Sequence, residues 1–220
     1  MKLQRVSFKD QVYAYLKQAI VKGELKPGEI YSEQMFADRL SISRTPVREA
    51  VLQLKHENML EIYNNRGIGV KPLLFDDARQ IIQTRTAIEG YSIRYLAQRI
   101  ADEEAQQVLQ QLEECLEQEK AFTDQNCDIY EFMQSDVDFH GIIVRFAKNE
   151  YFIKTIDMMR ARLEQATISS LQFKNRNAAA LKEHWAILKC IRSGKADDAY
   201  AAFEQHMKIT EDIMRKCNLG

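Results

Sequence analysis

Apolar residues recur every three to four positions along almost the whole sequence from Phe75 onward. This spacing is that of an amphipathic α-helix, whose buried face returns every 3.6 residues. The chain also has only three prolines and eight glycines in 220 residues, which argues against a turn-rich β architecture. We therefore predict a mainly α protein whose C-terminal part is an antiparallel six-helix bundle. Its helices are expected near residues 76–100, 102–120, 128–146, 150–173, 178–193 and 197–217.

The N-terminal part shows a different order of elements. Helical spacing covers residues 8–22, and Ser32 is a candidate N-cap for a short helix that ends near Leu40. A third helix begins near Ser43, with Pro46 in its first turn, where the missing N–H costs nothing. Two β-compatible runs around an Asn/Gly turn then predict a hairpin. This order is that of a winged helix-turn-helix, so we expect two domains, at residues 1–72 and 75–220.

Charge is distributed unevenly between these two parts. Residues 1–72 carry 12 Lys/Arg against 8 Asp/Glu, whereas residues 73–220 carry 19 against 24. A basic N-terminal part joined to an acidic C-terminal part is weak support for a polyanion-binding module. The sequence shows neither a signal peptide nor a membrane-spanning apolar run, so we expect a cytoplasmic protein. Four widely spaced cysteines predict reduced thiols: Cys115, Cys127, Cys190 and Cys217.

Polar side chains cluster in the first turn and a half of the third predicted helix. Ser43, Arg44, Thr45 and Arg48 lie there, where helix-turn-helix proteins meet base edges in the major groove. Arginine suits bidentate contact with guanine, and hydroxyl groups suit bases or phosphates. The alternative is a solvated helix face with no ligand. At the hairpin tip, Asn65, Arg66 and Gly67 are candidates for minor-groove or phosphate contacts.

The sequence from Val12 through Lys71 resembles the DNA-binding domain of the GntR family of transcription regulators. The motifs that carry this resemblance are IVKGELKPGE, SRTPVREAV and NRGIGV. The resemblance implies DNA contacts from the seven residues just named, and a homodimer bound to a palindromic operator. The chain departs from the family at Gln34, where many members carry a basic residue.

Ionisable side chains interrupt the apolar faces of three helices in the predicted bundle. Asp136 and His140 lie on one side of their helix, four residues apart. His184 and His206 lie within the apolar stripes of the last two helices, at similar distances from the link at Gly194. Any one such histidine alone is more simply a satisfied core imidazole. Together they require a partner, and a divalent metal provides one, with zinc first and nickel, cobalt, manganese or iron as alternatives.

The region from about Ala78 to His206 resembles the FCD-type ligand-binding domain of the FadR branch of the same family. The motifs are TRTAIEG, DVDFH, EHWAIL and IRSGKADDAY, followed by the final histidine. The metal-binding members use one Asp and three His, which correspond here to Asp136, His140, His184 and His206. Acyl-CoA-binding relatives lack this complete set and have an extra helix. We therefore do not expect a fatty acyl thioester as the effector.

Arg85 is a further polar residue on an otherwise apolar helix face. One interpretation is an ion pair with Glu89 one turn on, or with Asp136. The other is a clamp for the carboxylate of an effector, which guanidinium geometry favours and the family resemblance supports.

These observations predict a regulator, usually a repressor in this family, whose operator binding responds to a small organic acid at the metal. Two alternatives keep DNA binding but make the metal purely structural, or make the metal itself the signal. A metallohydrolase is the remaining alternative. We do not expect an enzyme, because no spare inward Glu or His stands out as a general base and the DNA-binding head would have no purpose.

Overall fold

The computed structural model describes residues 7–64, 66–124 and 128–217. The described residues form two compact units that divide between Leu73 and Leu74. None of the helices in these described ranges is both long and apolar enough to cross a lipid bilayer.

The first unit combines three helices with a small antiparallel sheet, so the predicted winged helix-turn-helix is confirmed. Strand β1 was not predicted, because two residues are too few to show an alternating pattern. It pairs with β3 on the edge opposite β2, giving the strand order β1-β3-β2. The elements are α1 (Phe8–Val21), β1 (Ile30–Tyr31), α2 (Glu33–Leu40), α3 (Arg44–His56), β2 (Leu60–Tyr63) and β3 (Gly67–Val70).

Local signals explain where the helices of this unit begin and end. The hydroxyl of Ser32 accepts a hydrogen bond from the backbone N–H of Met35 and thereby caps α2. Ser41 ends that helix in the left-handed region, at φ 54°, and this conformation turns the chain toward α3. The buried face of α3 packs against α1 and α2. It consists of Val47, Ala50, Val51 and Leu54, all fully buried.

The second unit is a bundle of six helices, as predicted. Helix α4 packs against α9 and α6, α5 against α6 and α8, and α8 against α9. Asp128 caps α6 by accepting from the N–H of Tyr130, and Gly194 joins α8 to α9 at φ 72°. The helices are α4 (Phe75–Ala97), α5 (Glu103–Asp124), α6 (Ile129–Phe146), α7 (Glu150–Leu171), α8 (Arg176–Arg192) and α9 (Ala196–Lys216).

Three of the four cysteines lie in the described residues, and all three are free thiols: Cys115, Cys190 and Cys217. Cys127 lies outside the described residues. Burial raises the pKa of the Cys115 thiol to about 11, with the nearby Asp138 carboxylate acting in the same direction. This thiol therefore stays protonated at neutral pH and is a poor nucleophile.

The close approach of β3 to β1 makes a specific prediction about Gly67. This glycine has φ 122°, and an added Cβ would lie 2.3 Å from the carbonyl oxygen of Tyr31. We expect Gly67→Ala to lower the free energy of unfolding by roughly 2–3 kcal/mol through combined backbone strain and steric overlap. Gly23→Ala is the matched control, because Gly23 also has positive φ, at 74°, but nothing lies within 4 Å of its added Cβ. Calorimetric unfolding of both variants measures the difference, and an equal or smaller loss for Gly67→Ala would contradict this account.

Candidate metal centre and nucleic-acid interface

The start of α3 presents four predicted DNA-facing residues to solvent. Ser43, Arg44, Thr45 and Arg48 are exposed, because the buried positions of this helix lie on its opposite face. Nη2 of Arg44 lies 3.2 Å from Oε2 of Glu33 at the start of α2. An exposed pair of this kind contributes at most about 1 kcal/mol, so DNA phosphates compete with it easily. The role of these four residues stays a prediction.

The remaining predicted contacts lie at the hairpin between β2 and β3. Arg66 is exposed at the tip, where its backbone N–H donates to the carbonyl of Tyr63, and Gly67 begins β3. Asn65 lies outside the described residues. The side-chain amide of Gln34, the position that departs from the family pattern, donates to Asp38 within α2 at 2.7 Å.

Three histidines from three helices meet in the core of the second unit. His140 on α6, His184 on α8 and His206 on α9 are all buried, and each offers a ring nitrogen within 4.8 Å of the others. The Nε2 atoms of His140 and His184 lie 3.3 Å apart. Two imidazole nitrogens bound to one zinc ion at the tetrahedral angle are separated by about 3.3 Å, given Zn–N bonds of about 2.0–2.1 Å.

A glutamate contacts the Nδ1 atom of each of these rings. Oε2 of Glu119 on α5 lies 2.9 Å from Nδ1 of His184, and Oε2 of Glu183 lies 2.6 Å from Nδ1 of His206. Oε2 of Glu89 on α4 lies 2.9 Å from Nδ1 of His140, close enough for an ion pair but not aligned as a hydrogen bond. A carboxylate that accepts a hydrogen bond from Nδ1–H orients the histidine ring and leaves the Nε2 lone pair for a metal.

Asp136 lies at the edge of the histidine cluster, one helical turn before His140. Its Oδ2 atom is 3.6 Å from Nε2 of His184, and its side chain lines a cavity together with Arg85 and His206. The structure thus brings the three predicted histidines into one cluster, with the predicted aspartate in contact with one of them. The assignment of these four residues as ligands stays a prediction.

Electrostatics keep two of the rings neutral at neutral pH. Burial lowers the pKa of His140, and the charge of Arg85 lowers it further against the opposing effect of Glu89. The pKa of His206 lies well below its usual value because the ring is buried and the other two imidazoles adjoin it. Burial also acts to lower the pKa of His184, but the Glu119 carboxylate outweighs it and raises that pKa. Neutral imidazole is the form that binds a metal.

The pKa values of Glu89 and Glu119 shift in opposite directions. Burial would raise the pKa of Glu89, but Arg85 and His140 outweigh it and lower that pKa to about 2. Burial raises the pKa of Glu119, and His184 only partly offsets this.

The donor set and the charges both fit a divalent cation. Within the described residues, four carboxylates contact the three rings or line the adjoining cavity, against two guanidinium groups. The carboxylates therefore outnumber the guanidinium groups, and a divalent cation supplies charge of the opposite sign. Nε2 lone pairs that face each other are likewise stabilised by a shared cation.

Arg85 is paired with Glu89, as the first of its two interpretations predicted. Its Nε lies 2.6 Å from Oε1 of Glu89, and its Nη2 lies 3.3 Å from Oε2. The side chain also lines the cavity beside Asp136 and His206. That cavity measures about 10 Å³, which is room for about one water molecule.

Several charged residues around this cluster were not predicted from the sequence, and each of its three glutamates is paired with a histidine rather than spare. Glu89 was identified only as an ion-pair partner, although its spacing from Arg85 already placed it on the buried face. Glu183 precedes His184 directly and gave no helical signal of its own. Glu119 and Arg176 belong to polar stretches of α5 and α8, and only the packing of the bundle shows that they are buried.

Comparison with known proteins identifies both parts of the chain. Residues 8–70 match the family of bacterial regulatory proteins of the gntR type, and residues 80–208 match the FCD domain. The chain is 25% identical to the HTH-type transcriptional repressor RspR of Escherichia coli over 94% of this chain and 88% of that protein. It is 27% identical to the HTH-type transcriptional repressor NanR of Klebsiella aerogenes over 97% and 87%.

Solved structures share the fold. A putative GntR transcriptional regulator from Rhodococcus superposes with a TM-score of 0.81 at 18% identity, covering 96% of this chain and 99% of that one. The Escherichia coli protein McbR/YncC superposes with a TM-score of 0.78 at 21% identity, with the same coverage. The chain belongs to the GntR family, with an N-terminal helix-turn-helix and a C-terminal FCD domain, and is a DNA-binding transcription regulator rather than an enzyme.

Proposed function

We propose that this protein is a repressor that binds a palindromic operator as a homodimer in the cytoplasm and responds to a small organic acid. Residues 1–72 bind the DNA, and residues 75–220 bind a divalent metal and the acid. The similarity of most of the chain to the repressors RspR and NanR supports repression rather than activation. A two-fold symmetric operator requires two copies of the recognition helix α3, which supports the homodimer.

One observation carries the metal part of this proposal. Three buried imidazoles each have Nδ1 beside a glutamate, and two of their Nε2 atoms lie 3.3 Å apart. Nitrogen donors with a carboxylate suit zinc first, with nickel, cobalt, manganese and iron as alternatives. His140, His184, His206 and Asp136 are the proposed ligands. When bound, the ion supplies an electrophilic centre that attracts an anionic oxygen of the effector.

Arg85 connects the proposed metal centre to the effector. Its guanidinium lines the cavity beside Asp136 while it pairs with Glu89, which also contacts His140. An acid whose carboxylate replaces Glu89 as the partner of Arg85 therefore also changes the surroundings of His140. The cavity of about 10 Å³ is too small for an organic acid as it stands, so binding requires its walls to move. A ligand that binds only the opened state shifts the protein toward that state.

The small volume of the cavity also favours a second candidate role for the metal. A closed, fully protein-ligated site is typical of structural metals. In that alternative the ion stabilises the bundle, and the acid binds elsewhere or the ion itself is the signal.

The DNA-binding part predicts a loss of affinity on removal of Arg48. We expect Arg48→Ala to weaken operator binding by about 1–3 kcal/mol, because a lost arginine–base or arginine–phosphate contact is of that size. Fluorescence anisotropy with an operator fragment selected in vitro measures the change in Kd. Arg192→Ala is the control, since it removes one partly exposed arginine from α8 in the second unit. Equal Kd values for wild type and Arg48→Ala would remove this residue from the interface.

The metal-binding part predicts different results for two histidine variants. Wild-type protein should contain about one equivalent of metal per chain, and His140→Ala should lose it together with the response to acids while still binding operator DNA. His56→Ala is the matched control, because this fourth histidine is exposed at the end of α3 in the first unit. Elemental analysis and operator titrations measure both properties. Full metal occupancy in His140→Ala would contradict the site.

Operator affinity in three states separates the alternatives for the metal. Three forms of the protein are titrated with the same DNA: metal-free protein, zinc-loaded protein, and zinc-loaded protein with an added acid. A change only on addition of acid supports the proposed function. A change on metal addition alone identifies the ion as the signal, and stabilisation without any change in DNA affinity identifies a structural metal.

A further inference from the structure

The first turn of α4 is the part of the second unit to which the DNA-binding unit is attached. The boundary between the two units falls between Leu73 and Leu74, and α4 begins at Phe75. The backbone N–H of Leu74 donates to Oδ2 of Asp77 at 3.3 Å. An acidic side chain three positions after the N-cap commonly stabilises a helix start in this way, so Asp77 holds the backbone at the boundary.

A buried arginine on α7 contacts the same carboxylate oxygen. Nη2 of Arg162 donates to Oδ2 of Asp77 at 2.7 Å, and Nη1 donates to the side-chain oxygen of Gln165 at 2.9 Å. The side chain of Arg162 is 8% exposed, whereas that of Asp77 is 38% exposed. Asp77 and Arg162 are 85 positions apart in the chain, so tertiary structure alone joins α7 to the start of α4.

Burial makes this ion pair costly to break. Burial lowers the pKa of the Arg162 guanidinium, and the charge of Asp77 opposes that shift. A guanidinium is not deprotonated in proteins, so Arg162 keeps its charge inside the bundle. Separation of a buried ion pair leaves an uncompensated charge. We therefore expect Arg162 and Asp77 to move together.

Helix α7 also forms one wall of the cavity beside the histidine cluster. Thr167, Ser170 and Leu171 line that cavity. Arg162 precedes Thr167 by five residues, or about 7.5 Å along the helix axis. Residues 161–171 are buried on nearly all sides of the helix. Because close-packed interiors transmit strain, a displacement of the cavity wall also displaces Arg162.

We propose that the ion pair between Asp77 and Arg162 transmits movement of the cavity wall to the first turn of α4, where the DNA-binding unit is attached. This inference rests on the proposed function, because it names the contact through which a change at the cavity reaches the operator-binding unit. It gives both residues a role in coupling and none in binding the metal, the acid or DNA.

Enlarging one residue of the cavity wall tests the coupling without requiring a metal or an acid. The cavity measures about 10 Å³, so the side chain introduced by Ser170→Leu must push the wall outward. We expect this substitution to change operator affinity at least about fivefold, the lower end of typical coupling between sites. Ser170→Val introduces a smaller side chain and replaces Ser170→Leu if circular dichroism shows that the latter is unfolded. Ser169→Leu is the control, because Ser169 is adjacent in the chain but does not belong to the described residues that line the cavity.

Removing the ion pair should abolish this response. In protein that carries Asp77→Asn or Arg162→Gln, the further substitution Ser170→Leu should leave the operator Kd unchanged within about twofold, as a double-mutant cycle measures. Asp77→Asn keeps a side-chain oxygen for the N–H of Leu74, so it removes the charge without removing the helix cap. Arg162→Lys keeps the charge and should retain the response.

Two neighbouring charged residues provide matched controls. Asp76 lies in the same turn of α4 and pairs with Arg79 on that helix, and Arg160 lies on α7 and pairs with Asp138 on α6. Asp76→Asn and Arg160→Gln should therefore leave the response to Ser170→Leu intact.

Hydrogen exchange of the first turn provides a second measurement that needs no enlarged side chain. The backbone N–H of Ala78 donates to the carbonyl of Leu74 at 3.1 Å. Arg162→Gln should speed exchange of this amide more than Arg160→Gln does, because only Arg162 holds the residue that caps the turn.

Each result either supports or overturns the inference. It is overturned if Asp77→Asn and Arg162→Gln retain the response, or if neither enlarged side chain changes operator affinity in otherwise wild-type protein. Equal exchange of the Ala78 amide in the two arginine variants also overturns it. If the coupling is present but neither zinc nor any acid changes operator affinity, the proposed function fails and the coupling stands.

Discussion

Contacts between three glutamates, two of them fully buried, and the three histidine rings connect the helices of the second unit at its centre. Glu89 on α4, Glu119 on α5 and Glu183 on α8 hold rings on α6, α8 and α9. Each contact joins two ionisable groups that are costly to bury alone, so each helix carrying one partner must pack where it meets the other. The result is a polar cluster in the core of the bundle, in which, among the described residues, four carboxylates face two guanidinium groups. The proposed divalent cation would supply charge of the opposite sign.

The same contacts connect the centre to its surroundings. Glu89 lies between Arg85 and His140, and Glu183 lies between Arg176 and His206. Each glutamate therefore links a histidine to an arginine that lines the cavity. A ligand that pairs with either arginine changes the contacts of a proposed metal ligand. Because packed interiors do not deform continuously, such a change favours a switch between discrete arrangements of the helices.

The first unit is specified mainly by local interactions, and most of its elements were predicted from the sequence. The serine N-caps of α1 and α2 and the apolar face of α3 specify these helices within a few residues of chain. The exposed side of α3 follows from its buried side by helical geometry alone. Strand β1 was missed, because its two residues become a strand only through pairing with β3.

The sequence by itself determined the order of the elements apart from β1, the six helices of the bundle, the family, and the burial of the three histidines, since helical periodicity and motif spacing are local properties of the chain. Tertiary structure decided which polar groups meet. Glu119 and His184 are 65 residues apart and Arg176 and Thr210 are 34 apart, and nothing in their local patterns pairs them. Helix packing alone fixes which faces adjoin, so the orientation of the rings and the polar lining of the cavity emerge only in the folded bundle.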